Sequence, residues 1–135
     1  MEKYPVKILL ALIESLKGSR NFFDWLLKNG YPELAAFSNA VRGDREAQHW
    51  LVANNAGWLA VLSEAIDGDE KARLWIAGHC HEVNLRFALA CRKDEGAIRW
   101  LGERNLQIFL MMAKEVAVVL DTQAAENAGP YVMHF

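Results

Sequence analysis

Gly43-Asp44-Arg45-Glu46-Ala47-Gln48-His49-Trp50-Leu51 is one of four similar stretches in this chain, and their spacing decides the fold. Trp25, Trp50, Trp75 and Trp100 stand 25 residues apart, followed by Leu26, Leu51, Ile76 and Leu101. Six residues before each Trp lies Ser19, Asp44, Asp69 or Asp94, and three before lies Phe22, Ala47, Ala72 or Ala97. Gly18, Gly43 and Gly68 precede three of the four polar residues, and Lys93 takes the fourth place. A fixed period of this length marks a repeat architecture in which each unit is one supersecondary element.

The second half of the unit keeps the same beat. Leu34, Leu59, Asn84 and Phe109 align, as do Phe37, Leu62, Phe87 and Met112, and then Val41, Ile66, Cys91 and Val116. Leu9, Leu12 and Leu16 continue these columns upstream, so the N-terminal segment reads as a half-repeat. Each unit reads as two short helices. Ser or Asp caps the first helix by accepting from a free backbone N–H of its first turn. The glycine before it suits the left-handed residue that ends the previous helix. Ala47, Trp50 and Leu51 follow i, i+3, i+4 spacing, which predicts one apolar stripe with the tryptophan column packed between hairpins. Gly30, Asn55 and Asn105 share the column between the two helices, and both residue types tolerate a left-handed turn.

No β-type alternation interrupts this pattern. The expected fold is all-α, a right-handed α-α superhelix (solenoid) of short helical hairpins in a single domain. Residues 1–17 form the leading half-repeat, 18–42, 43–67, 68–92 and 93–117 the hairpins, and 118–135 the end of the last helix and a tail. Helices of this length are marginal alone, so stacking must stabilise them. The pattern resembles αα-repeat arrays such as HEAT and ankyrin in architecture alone. The unit is shorter, and the ankyrin Thr-Pro-Leu-His turn is absent. The resemblance implies stacked hairpins and transfers no functional residue.

Composition narrows the functional classes. The chain has 135 residues, 53% hydrophobic and 24% charged, with a net charge of −2. That balance fits a globular protein and disfavours one held to nucleic acid by phosphate neutralisation. The apolar runs Ile8–Ile13 and Ile108–Ala113 fall far short of the roughly 20 residues a membrane helix needs. Lys3 and Lys7 before an apolar stretch imitate a signal peptide, but Glu14, Ser15 and Lys17 stand where a cleavage site would be. Cys80 and Cys91 make no disulfide framework, and a cytoplasmic location is expected.

The sharpest local oddity is His79-Cys80-His81-Glu82, at the turn of the third hairpin. Imidazole, thiolate and carboxylate are zinc ligand types, yet four consecutive residues do not readily close on one ion. The plainer reading is a turn, with His79 at a helix C-terminus that favours its cation. Asn84 replaces Leu or Phe at an apolar phase, which signals either a register shift with Val83 and Leu85 taking over or a polar site beside His81. Trp58 falls off the beat and is a contact candidate. Arg86 and Arg92 sit in the basic third hairpin, next to an acidic second one. Both terminal helices are greasy, which makes Met111, Tyr131 and Phe135 further contact candidates. The Gly129-Pro130 breaker would let the tail fold back as a cap. No Gly-rich phosphate loop or nucleophile elbow is present. The expected function is a non-enzymatic protein–protein interaction module or scaffold, without cofactor, binding another protein or forming a homo-oligomer through its terminal helices. The alternative is a small metal-binding protein or enzyme centred on the His79–Glu82 turn.

Overall fold

The computed structural model describes the backbone of residues 1–79 and 81–133, and the side chains of 1–79 and 81–126. Among the described residues there are nine helices and no strand. They are α1 (Val6–Leu16), α2 (Arg20–Lys28), α3 (Pro32–Val41), α4 (Arg45–Ala53), α5 (Gly57–Ile66), α6 (Glu70–Gly78), α7 (Glu82–Cys91), α8 (Glu95–Glu103) and α9 (Gln107–Met133). Ser19, Asp44, Asp69 and Asp94 each accept a backbone N–H of the first turn of α2, α4, α6 and α8, as the repeat predicts. Between units, Gly18, Gly43 and Gly68 adopt positive φ, and Lys93 is held at φ 66° in the same column.

The odd-numbered helices form an inner layer. α1 packs on α3, α3 on α5, α5 on α7, and α7 on α9. Each even helix lies outside one of these junctions, touching the inner helix on either side. Consecutive helices joined by such short turns run antiparallel, so the five inner helices run the same way. α9 also packs on α1. The two greasy ends therefore cover each other, and the array closes on itself. The inner columns form the core: Leu12, Phe37, Leu62, Phe87 and Met112 are all at most 1% exposed.

Arg42 and Arg92, two repeats apart, tie neighbouring inner helices together at their C-terminal ends. Arg42 Nη2 donates to the Leu16 carbonyl, and Nη1 to the Ser38 carbonyl and hydroxyl at 3.4 and 3.3 Å. Arg92 Nη1 donates to the Ile66 carbonyl at 3.2 Å. Both carbonyls belong to the last turn of an inner helix, where no intrahelical donor remains. Gln123, on the far half of α9, donates to the Arg42 carbonyl at 2.6 Å.

The structure corrects three expectations. The tryptophan column is not the core: Trp50 and Trp75 are exposed, and Trp25 and Trp100 are half-buried. The inward residues are the following Leu26, Leu51, Ile76 and Leu101, with Ala47, Ala72 and Ala97. At about 100° per residue, Ala and the Leu four later bracket the inward direction, and Trp falls to one side of it. Second, α7 keeps the register of α3 and α5, so Asn84 itself is buried at its phase and no shift occurs. Third, α9 continues through Gly129-Pro130 rather than breaking there. The fixed φ of proline is compatible with helix even though one backbone bond is lost.

Candidate functional site

Short turns bring the N-terminal ends of the inner helices to one face of the molecule, and residues 1–5 lie across it. Met1 is 5% exposed, and its ammonium donates to Asn84 Oδ1 at 3.5 Å. Burial, with Lys3 nearby, lowers the pKa of this amine to about 6. The amide at position 84 thus has a partner from outside the repeat, which explains why a polar residue is tolerated in an apolar column. A cleft of about 420 Å³ opens here, lined by Met1, Glu2, Lys3, Trp58, His81 and Asn84. It brings together three sequence candidates (Trp58, His81 and Asn84) from the first turns of α5 and α7 and the turn before α7.

Trp58 is the pivot of this face. Its indole is half-buried, packs on the core and has Lys3 Nζ 5.8 Å from the ring centroid. On its other side lies a second cleft of about 370 Å³, lined by Tyr4, Pro32, Glu33, Trp50, Asn54 and Ala56 among others. Tyr4 donates its hydroxyl to Glu33 Oε2 at 2.8 Å and meets Tyr31 edge-on, with centroids 6.0 Å apart. Burial and the Glu33 carboxylate push the Tyr4 pKa well above its ordinary value. Tyr4 precedes the first repeat column, so periodicity carried no signal for it. Arg42 does carry a signal, since it stands two repeats before Arg92, but that alignment alone does not show that either side chain reaches a neighbouring helix.

The remaining candidates disperse. His79 caps α6: its Nδ1 lies 2.7 Å from the Trp75 carbonyl, and its ring stacks on that indole with centroids 3.9 Å apart. A carbonyl can only accept, so Nδ1 carries the proton. Asn29, Asn54 and Arg104 make the same side-chain bond to the carbonyls of Trp25, Trp50 and Trp100. His79 is therefore the third member of a capping column. Glu82 is paired with Arg86 at 2.9 Å. His79, His81 and Glu82 accordingly face three different environments. Among the described residues no group of three His, Cys, Asp or Glu could hold a metal ion. Cys80 lies outside the described residues, as do Phe135 and the side chain of Tyr131. Cys91 is buried at 1% exposure, and burial raises its thiol pKa. Arg86 lies 5.4 Å from the Trp100 centroid, with Arg104 at 3.9 Å. Met111 is 50% exposed on α9.

No known protein family matches the chain, and no curated protein or solved structure does either. Among the described residues no helix is long and apolar enough to cross a membrane.

Proposed function

We propose that this chain is a non-enzymatic helical-repeat protein, a hairpin array of the α-α superhelix type, that acts in the cytoplasm as a protein–protein interaction module. The observation that carries this reading is Trp58, a half-buried indole standing between two open clefts. Tryptophan is a rigid, amphipathic anchor that dominates many interfaces. Its surroundings suit holding a peptide segment rather than moving protons. The Tyr4 hydroxyl is engaged by Glu33, and the Asn84 amide oxygen by Met1. An extended segment crossing from one cleft to the other passes over the indole and meets Lys3 and His81 at one side. The terminal helices provide a second surface of the same class.

Selection of displayed random peptides on the immobilised chain tests the reading. Binders are expected that lose about tenfold or more in affinity, roughly 1.4 kcal/mol, on Trp58→Ala while the variant stays folded. Binders indifferent to Trp58, Lys3 and His81 would sink it.

A further inference from the structure

The cleft beside Trp50 is lined by three aromatic side chains and one carboxylate, each from a different element. Glu33 and Trp58 occupy the same repeat position 25 residues apart, so the first turns of α3 and α5 present them side by side. α4 packs on both helices and brings Trp50 from its last turn, and the N-terminal segment lays Tyr4 against Glu33. The space they line is about 370 Å³, and Glu33 is the one charged residue lining it.

Two observations say what this cleft takes up. The first is the carboxylate. Glu33 is half-buried, and among the described residues it makes no ion pair. Its Oε2 accepts from Tyr4, and its place in the first turn of α3 favours negative charge. Oε1 accepts from no group among the described residues. Asn54 Nδ2 donates to the Trp50 carbonyl at 2.8 Å, which leaves Asn54 Oδ1 as a further acceptor. A negative charge with free acceptors calls for a cation.

The second observation is the uncovered indole. In the same column, Trp75 is stacked with His79 and Trp100 lies under the Arg104 guanidinium, each at 3.9 Å. Asn54 stands in that place for Trp50, and among the described residues no ring or cation covers the Trp50 indole, which is 39% exposed. Indole is the aromatic group that attracts cations best. This chain already sets one over Trp58, where Lys3, a residue of the other cleft, holds its ammonium 5.8 Å from the centroid. A plain lysine ammonium suits the Trp50 side poorly, because it is strongly hydrated and brings three N–H donors to one charged acceptor. Methylation replaces those donors with methyl groups that carry the charge onto aromatic faces.

We infer that Tyr4, Trp50 and Trp58 form an aromatic cage, with Glu33 as counter-charge, for the N-methylated ammonium of a modified lysine in a partner's peptide segment. The inference rests on the interaction-module reading and names what the Trp50 side of Trp58 receives.

The isotope-labelled chain is titrated with N-acetyl-lysine amide in its unmodified, dimethyl and trimethyl forms, with the uncharged tert-butyl analogue of the last, and with choline. The indole N–H signals of Trp50 and Trp58 are followed by NMR. Expected are saturable shifts at both indoles with the methylated forms. The uncharged analogue keeps the shape and loses the charge, so it should bind about tenfold more weakly, and unmodified lysine about fivefold more weakly. Glu33→Gln, which keeps an acceptor for Tyr4, should weaken binding about threefold. Trp50→Ala should abolish it, and both variants should keep the parent's circular dichroism. Trp75→Ala, an exposed member of the column outside the cleft, should leave binding unchanged. Equal binding of unmodified lysine or of the uncharged analogue would overturn the inference, as would no saturable shift at tens of millimolar. Choline bound more tightly than trimethyl-lysine would also overturn it, by giving the cage to a free or lipid-borne choline. Selected peptides that depend on Trp58, Lys3 and His81 but not on Glu33 or methylation would sink the cage and leave the interaction module standing.

Discussion

Replacing Arg42 by Met removes three donor contacts while keeping most of the side chain's packing volume. The bond to the Leu16 carbonyl closes the last turn of α1, and the two to Ser38 are longer, at 3.3 and 3.4 Å. A bond from a charged donor contributes about 1.5–3 kcal/mol, and the longer pair adds less. Arg42 is half-buried, and burial lowers its pKa, so water replaces these partners only in part. The expected loss is about 2–3 kcal/mol. With unfolding entropy of about 2.1 cal/mol/K per residue, a chain of 135 residues loses about 3.5 °C per kcal/mol, so Tm falls by about 7–10 °C. Arg92→Met is the control. It gives up one bond at 3.2 Å from an exposed residue, and should cost less than about 1 kcal/mol. Thermal melts followed by circular dichroism, with urea titrations for the free energies, measure both. Equal losses, or an Arg42→Met loss under about 0.5 kcal/mol, would refute the claim that Arg42 ties α1 to α3.

Two further predictions probe the core and the N-terminal face. Leu51→Ala should cost about 2–4 kcal/mol because Leu51 is fully buried, whereas Trp50→Ala, at 39% exposure, should cost about 1 kcal/mol. The reverse order in urea unfolding would restore the tryptophan column to the core. For a chain with a free amine at Met1, stability should rise with pH between 6 and 8. The folded amine titrates near 6 and the unfolded one near 8, so the unfolded chain holds more protons across that window. Urea midpoints at pH 6 and 8 measure the rise, and N-terminal acetylation should abolish it. An identical rise in the acetylated chain would assign the effect to other groups.

Much of this architecture was legible because its signals are local. The Asp caps, the glycines at positive φ and the left-handed Asn55 and Asn105 are each decided within a few residues, and the structure places them as read. The tryptophan column failed because a fixed phase shows that a position recurs, not which way it points. A bulky flank residue recurs as faithfully as a buried one. Asn84 stands out in the sequence as a polar residue at an apolar phase, yet its partner is 83 residues away, a distance over which sequence spacing is silent. The Tyr4–Glu33 bond is of the same kind. His81, Trp58 and Asn84 were therefore each visible as oddities, and only the packing of α5 on α7 shows that they share one cleft.

The contact of α9 with α1 also sets the copy number of the repeat. An array with two free ends can gain or lose a hairpin and adjust only locally, because each unit touches its neighbours alone. Here the inner layer has a fixed circumference. An inserted 25-residue unit would push α9 off α1 and expose Ile13 and Val116 together, while a deletion would force the two helices into the same space. Duplication within the chain, the route by which such arrays normally lengthen, is closed to this one once its ends have met.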